Sequence, residues 1–281
     1  MNIPYVFNRM AVGGVITVRP VEGEYGVFTY NRNNEIFSSA MSVSGIALTY
    51  YGQRRMKIWS AGSADSTTVT ASCSMGVYAE GKATNVVVNS DGWVYIEGAG
   101  IVSGAEIKSN GRMSLGEGAF ASGITVSMGG YLQNNGMATR IVGLQMQSGC
   151  NGISAGESSY IANVEMQSYA GGITLSGGAS GDNFNIQSNT CVYVLDGATL
   201  SSATLSSGGS IRISLGGQAH NVTHHSGGIL YAGVYGDDMD TVIDGSNAYG
   251  EFALSGGTAS NFAVYGGMCL NVSFGGVTER A

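Results

Sequence analysis

Proline is almost absent from this 281-residue sequence: it occurs at Pro4 and Pro20 and nowhere after them. Because proline has no backbone N–H to donate, it is confined to the edges of sheets. Charged residues are also scarce, at 11% of the chain, while hydrophobic residues make up 43%. A disordered chain would have the opposite balance. The sequence therefore predicts an ordered protein in which nearly every backbone N–H takes part in a ladder.

Long apolar runs are missing as well. No stretch of 18 apolar residues occurs, so we predict no membrane-spanning helix. The N-terminus has no basic segment followed by an apolar run, and we expect no signal peptide.

Residues 1–57 carry a net charge of +3, which leaves −10 for residues 58–281, because the whole chain has a net charge of −7. An acidic chain repels phosphate, so we expect no nucleic-acid partner.

Glycine, in contrast, is abundant, with 46 residues. Glycine-containing pairs typical of turns recur at intervals of 19 residues, in two runs: Asp91-Gly92, Asn110-Gly111, Gly129-Gly130 and Ser148-Gly149, then Gly208-Gly209 and Gly227-Gly228. The interval from Gly149 to Gly208 fits three repeats with a two-residue insertion near residues 168–172. Self-similarity at so short a period is the signature of a solenoid.

Alternating apolar residues follow each turn. The first pair in a repeat is Val94/Ile96, Met113/Leu115, Val192/Val194 or Ile211/Ile213, and the second is Val86/Val88, Ala105/Ile107, Ile124/Val126 or Ala203/Leu205. A period of two indicates strands rather than helices. Each repeat is therefore predicted to form two short strands with one face turned inward.

These patterns predict an all-β fold: a single-stranded parallel β-solenoid (β-helix) of about 11 coils of about 19–20 residues. At the usual strand spacing the coils make a rod about 50 Å long. We assign residues 53–281 to the rod and residues 1–52 to an N-terminal β-rich cap or docking segment, with strand-like segments at Val12–Val18 and Gly26–Tyr30. The alternative is an antiparallel sandwich with glycine-rich hairpins, which would not need a fixed 19-residue period.

Three units share one spacing: Gly81-Lys-Ala-Thr-Asn-Val-Val-Val, Gly217-Gln-Ala-His-Asn-Val-Thr-His and, more loosely, Gly257-Thr-Ala-Ser-Asn-Phe-Ala-Val. This repeat resembles the stalk repeats of AIDA-type autotransporter adhesins of Gram-negative bacteria, over about residues 53–281. The resemblance implies a surface-exposed rod that carries adhesion and is O-glycosylated on serine and threonine. It also implies an extracellular or cell-surface location.

Two outward columns combine aromatic residues with arginine at intervals of 19. One contains Trp93, Arg112 and Tyr131, and the other contains Tyr193, Arg212 and Tyr231. Each column is expected to place a guanidinium between two rings in cation–π geometry, worth about 0.5–1 kcal/mol per exposed contact. The columns either stiffen the rod or form an aromatic surface for glycans or partner proteins.

One irregular stretch suggests a cation site. Adding 19 to His225 gives Asp244, so these two residues are expected to stack in adjacent coils, with Asp238 and Asp240 close by. Carboxylates and a histidine are possible metal ligands. The alternative is a solvated loop that replaces a regular turn. No cofactor is predicted.

The sequence favours a structural or adhesive protein over an enzyme, with surface glycans or proteins as partners and self-association open. A virion tail fibre or injection-machine fibre, anchored through residues 1–52, is the alternative. A β-helix polysaccharide lyase or hydrolase is the second alternative. Such enzymes need closely placed carboxylates, or a cation with a basic residue, and the repeats carry scattered single acids.

The repeat also predicts that the chain forms no disulfide. Cys150 and Cys191 are the best-aligned cysteines, but they lie two coils apart, about 9.6 Å on the strand spacing. A disulfide needs Cα atoms within about 7 Å of each other, and neither Cys73 nor Cys269 lies closer in register. Thiol titration under denaturing, non-reducing conditions should find all four thiols free. Two or fewer within a single chain would contradict the register.

Overall fold

The computed structural model describes residues 21–24, 26–214, 216–225 and 227–232 and, beyond them, the strands between Val242 and Glu279. Every regular element in this part of the chain is a β-strand. Accordingly, the described residues include no helix long and apolar enough to cross a membrane.

The strands are numbered in chain order. Residues 26–88 contain β1 (Gly26–Tyr30), β2 (Ile36–Ala40), β3 (Ser42–Ser44), β4 (Ala47–Leu48), β5 (Arg55–Trp59), β6 (Ser63–Asp65), β7 (Thr68–Val69), β8 (Ser74–Val77) and β9 (Lys82–Val88). Residues 93–194 contain β10 (Trp93–Ile96), β11 (Ile101–Ile107), β12 (Arg112–Leu115), β13 (Phe120–Val126), β14 (Tyr131–Asn134), β15 (Arg140–Met146), β16 (Ile153–Ala155), β17 (Tyr160–Met166), β18 (Ile173–Leu175), β19 (Ser180–Ile186) and β20 (Cys191–Val194). Residues 199–279 contain β21 (Thr199–Leu200), β22 (Ala203–Leu205), β23 (Ser210–Ile213), β24 (Gln218–His220), β25 (Val222–His224), β26 (Gly228–Ala232), β27 (Val242–Asp244), β28 (Asn247–Ala248), β29 (Gly250–Leu254), β30 (Thr258–Ser260), β31 (Ala263–Val264), β32 (Cys269–Val272) and β33 (Val277–Glu279).

The predicted parallel β-solenoid is confirmed, and the antiparallel sandwich is excluded. Each coil pairs in parallel with the coil before it and the coil after it. On what we call face one, the short strands β5, β8, β10, β12 and β14 form one ladder, and β16, β18, β20, β23, β26, β29 and β32 form a second. The longer strands β9, β11, β13, β15, β17 and β19 stack in register alongside them.

Each coil has three strand segments, not the two that we predicted. A residue with positive φ bends the long strand in its middle, at Asn85 in β9 and at Gly104 in β11. In other coils the same segment forms two separate strands, such as β21 and β22. The segment before the bend contributes one buried residue, Val102 in β11, and a single residue gives no alternation in the sequence.

The shared motif is explained by this geometry. Its asparagine, Asn85 or Asn221, has a φ of 52° or 53°, a conformation that asparagine tolerates better than most residues. Its alanine, Ala83 or Ala219, is fully buried on the inner face. Its glycine lies against the preceding coil, because a Cβ on Gly81 would come within 2.7 Å of the Ile58 carbonyl oxygen. The motif is therefore a set of packing requirements for one corner of a coil.

The core is one continuous apolar column inside the coils. Inward residues such as Met75, Val94 and Met113 have no accessible surface and belong to a single buried cluster. Cys73, Cys150 and Cys191 are free thiols, as predicted for the cysteines whose side chains are described. Burial raises the pKa of the Cys73 and Cys150 thiols, which keeps them protonated and weakly reactive.

The period changes from 19 to 20 in the middle of the rod. Phe120 pairs with Arg140, Arg140 with Tyr160, and Tyr160 with Ser180, each 20 residues further on. The two extra residues predicted between Gly149 and Gly208 are present, but the prediction that both are inserted together near residues 168–172 is wrong. Instead, three coils each gain one residue, at the corner 135–138 and in the segments 151–152 and 171–172. The first two changes coincide with the break between β14 and β16 in the face-one ladder.

The N-terminal part of the described chain closes the first coil with antiparallel strands. The predicted strand Gly26–Tyr30 is confirmed as β1, which pairs antiparallel with both β2 and β5. Parallel stacking begins with β3 and β4, which pair with β6 and β7. The ladder thus begins at Ser42, before the predicted boundary at residue 53. The other strand-like segment, 12–18, lies outside the described residues.

We expect Val194→Pro to lower the stability of the rod by about 3 kcal/mol or more. Val194 is fully buried in β20, between β18 and β23, where proline would remove a ladder donor. Asp196→Pro is the matched control. The Ala198 amide donates to the Leu195 carbonyl, and Gly197 has a φ of 69°, which is the type II turn that accepts proline at its second position. Equal melting temperatures for the two variants would contradict this ladder assignment.

Candidate functional site

An open groove of about 630 Å³ lies on face one, near the N-terminal end of the described solenoid. It follows from small outward residues in a single strand, β8. Ser74 lies between Arg55 of β5 and Trp93 of β10, and Gly76 lies between Lys57 and Tyr95. Since β8 carries no large outward side chain at these positions, the residues of β5 and β10 form the two walls.

Four rings form what we call the aromatic cluster: Trp59, Tyr78, Tyr95 and Trp93. Trp59 stacks on Tyr78, with ring centroids 4.4 Å apart and planes 18° apart. Tyr78 meets Tyr95 edge to face at 5.5 Å, and Tyr95 lies 5.4 Å from Trp93. Trp93 remains 51% exposed. The cluster is therefore a continuous aromatic surface that passes from β5 to β10 and leaves one indole open to solvent.

Gly76 allows this arrangement. A Cβ at this position would come within 2.6 Å of ring atoms of both Tyr78 and Tyr95, so only glycine lets the two rings lie against the backbone. Burial, followed by the hydrogen bond with Tyr95, raises the pKa of the Tyr78 hydroxyl. The hydroxyl of Tyr78 consequently stays protonated and neutral over the physiological range.

The wall formed by the β5 side is basic. Arg54 donates from Nε to the Ser72 carbonyl oxygen at 2.9 Å, and its guanidinium carbon lies 5.2 Å from the Tyr50 ring centroid. Arg55 donates from Nη1 to the Asn34 side-chain oxygen at 2.8 Å. The other groove-lining residues are Ser72, Cys73, Asp91, Glu97 and Ser114. The groove thus combines guanidinium, aromatic and carboxylate groups around a floor of small residues.

The first predicted column has the expected register. Trp93 pairs with Arg112, and Arg112 pairs with Tyr131. The guanidinium of Arg112 lies 5.5 Å from the Tyr131 ring centroid, whereas the ring contact of Trp93 is with Tyr95 of its own strand. The column therefore forms one cation–π contact and leaves the indole of Trp93 to the groove.

The second predicted column is also in register. Tyr193 of β20 pairs with Arg212 of β23, and Arg212 pairs with Tyr231 of β26. Tyr193 is 38% exposed, and the side chain of Tyr231 lies outside the described part of the chain. The binding role proposed for these two columns stays a prediction.

The predicted stacking of His225 on Asp244 is wrong. Asp244 pairs with His220, 24 residues earlier, because the coil between them is longer than 19 residues. Asp238 and Asp240 lie outside the described residues. Within the described chain no group of three or more histidine, cysteine, aspartate or glutamate residues is placed to hold a metal ion.

Sequence reasoning missed the aromatic cluster and one further contact. Trp59 and Tyr78 are 19 residues apart, so the same arithmetic that aligned Trp93 with Arg112 could have aligned them. The guanidinium of Arg140 lies 4.9 Å from the Tyr160 ring centroid. These two residues are 20 apart in the sequence, and an alignment with a fixed period of 19 does not place them in the same column.

Comparisons with known proteins add little. No family model and no curated protein matches the sequence. Among solved structures, the fold is similar to a hyper-glycosylated TibA55-350 fragment whose glycosylation is catalysed by TibC. The identity is 19%, the TM-score is 0.49, and the alignment covers 84% of this chain and 99% of that one. A similarity of this size carries no information on function.

We expect Arg112 and Tyr131 to stabilise each other by about 0.5–1 kcal/mol, because their contact lies on the surface. A double-mutant cycle of Arg112→Ala, Tyr131→Leu and the double variant, followed by urea unfolding, measures this coupling free energy. The control combines Arg140→Ala with Tyr131→Leu. The guanidinium of Arg140 lies over Tyr160 and not over Tyr131, so the effects of these two substitutions on the free energy of unfolding should add. A coupling free energy of zero for Arg112 and Tyr131 would show that the column does not stiffen the rod.

Proposed function

We propose that this chain is a structural, adhesive rod and that it binds glycans through the aromatic groove on face one. The observation that carries the proposal is the aromatic cluster itself: four rings, each in contact with the next, with an exposed indole at the edge of an open groove. Aromatic rings offer an apolar face to the C–H groups of a sugar, and polar groups at the rim bind its hydroxyls.

The scaffold suits a binding surface that does not rearrange. Each strand under the groove pairs with a strand on both sides, and the inward residues Met56, Met75 and Val94 are fully buried. Because the backbone is held in this way, the rings are positioned before a ligand arrives, which lowers the entropic cost of binding. Exposed aromatic surface of this kind typically marks an interaction site.

The groove is proposed to bind a saccharide rather than to catalyse a reaction. Its carboxylates, Asp91 and Glu97, lie at opposite ends of β10, which has four residues and is about 13 Å long. Glycoside hydrolysis needs two carboxyl groups about 5 to 9.5 Å apart. A groove with its acids this far apart is suited to hold a saccharide rather than cleave it.

We also propose a location and a partner for the rod. The resemblance of the repeat to autotransporter stalk repeats supports a rod on the bacterial surface, with glycans of a host or of neighbouring bacteria as ligands. The groove lies near the N-terminal end of the described coils, with the rest of the rod beyond it. In this arrangement the coils act as a stalk that carries the binding surface.

We expect Trp93→Ala to abolish glycan binding on an array of immobilised glycans while lowering the melting temperature only modestly, because the indole is 51% exposed and the inward residues Val94 and Ile96 of the same strand are unchanged. Tyr193→Ala is the matched control. It removes an outward aromatic residue from β20, which belongs to the second face-one ladder and not to the one that forms the groove, and should bind as the wild type does. Wild-type binding by Trp93→Ala would contradict the proposed function. Loss of binding by Tyr193→Ala would move the site to the second column.

A further inference from the structure

We infer that the groove takes an anionic saccharide, whose carboxylate lies against Arg54 and Arg55 while its ring stacks on Trp93. This inference rests on the proposed function and names the ligand class. It depends on three features of the described residues: the separation of charge across the groove, the remaining donors of the two guanidiniums, and the dimensions set by the strand ladder.

The dimensions come from the small outward residues of β8. Arg55 and Trp93 pair with the same residue, Ser74, from opposite sides. Their strands are therefore two ladder spacings apart, about 10 Å. That width accommodates one sugar ring between the guanidinium wall and the aromatic wall, and Ser74 offers a hydroxyl at the floor.

The two arginines keep donors available. Arg54 uses Nε for the Ser72 carbonyl, and Arg55 uses Nη1 for Asn34. Neither guanidinium forms an ion pair with a carboxylate among the described residues, whereas neighbouring Lys57 is paired with Glu22 at 3.4 Å. The remaining N–H groups of a guanidinium form a planar fork that matches a carboxylate. The hydrogen bonds already formed hold both side chains in place.

The acids occupy the other wall. Asp91 precedes β10 and Glu97 follows it, so both lie in the coil of Trp93, opposite the arginines. A carboxylate on the ligand is repelled from this wall and attracted to the β5 wall. The acids can accept hydrogen bonds from the hydroxyls of the sugar. The charge distribution therefore favours one orientation of an acidic saccharide in the groove. A neutral saccharide has no carboxylate that could pair with the two guanidiniums.

The test compares acidic and neutral forms of the same ligand by titration calorimetry on the full chain. The acidic probes are an oligogalacturonate and sialyllactose, and their neutral references are the fully methyl-esterified oligogalacturonate and lactose. A sulfated galactan tests whether any anion suffices. We expect the acidic form to bind at least about tenfold more tightly than its neutral reference, and we expect high salt to reduce the difference.

The arginine variant separates this inference from the proposed function. Arg54→Gln/Arg55→Gln should lose the preference for the acidic form and keep any binding of the neutral form. Arg54→Lys/Arg55→Lys should recover part of the preference for the acidic form, because lysine restores the positive charge but not the planar pair of donors that a guanidinium offers to a carboxylate. Lys82→Gln/Lys108→Gln is the charge-matched control, since Lys82 and Lys108 are exposed on strands and turns away from the groove, and it should behave as the wild type does.

Four outcomes would overturn the inference. Equal affinity for acidic and neutral forms, with both lost in Trp93→Ala, would refute the anionic ligand and leave the glycan-binding groove standing. No binding of any of the acidic probes at millimolar concentration, or binding unaffected by both the arginine variant and Trp93→Ala, would refute the inference. In that case the proposed function is decided by the glycan array alone. Tighter binding of sulfated galactan than of every uronate or sialate would replace the carboxylate with a sulfate.

Discussion

The structure depends on one constraint: the backbone of every coil must lie at hydrogen-bonding distance from the coil before it. The constraint determines where side chains are allowed. At Gly81 a Cβ would press on the Ile58 carbonyl oxygen at 2.7 Å, and at Asn85 and Gly104 the chain must bend with positive φ. The scarcity of proline and the abundance of glycine are two consequences of the same ladder, since one residue cannot donate to it and the other fits its corners.

Stacking of the coils also brings residues that are distant in the sequence together on the surface. Arg55, Ser74 and Trp93 become neighbours because each lies one coil from the next. A regular column of large residues would give a flat, filled face. The groove arises because β8 breaks the column with serine and glycine, and the aromatic cluster forms because Gly76 leaves room for two rings. A local departure from the repeat, rather than the repeat itself, creates the candidate site.

The repeat can be predicted from the sequence because inward residues alternate with a period of two, as Val94 and Ile96 do. The third strand segment cannot, since a single inward residue such as Val102 has no partner to alternate with. The one-residue insertions are not detected because two glycine-containing pairs still look aligned when one of them is shifted by one residue. A fixed period of 19 aligns Gly129 with Ser148, whereas the Gly129 amide donates to the carbonyl of Gly149. The groove escapes detection because its signal is the absence of large side chains, which pattern searches do not register.

A single groove of this kind is suited to weak, reversible binding. It is open to solvent, it offers one half-exposed indole, and the net charge of the surrounding rod does not attract an anion over long distances. Its advantage is preorganisation, because the ladder fixes the rings and the hydrogen bonds to Ser72 and Asn34 fix the guanidiniums. An adhesive surface gains strength from many such sites presented together, since a second contact is made at high effective concentration once the first is formed. In the adhesive role that we propose, the rod would favour that arrangement, because it would hold identical grooves at one height above the surface that carries them.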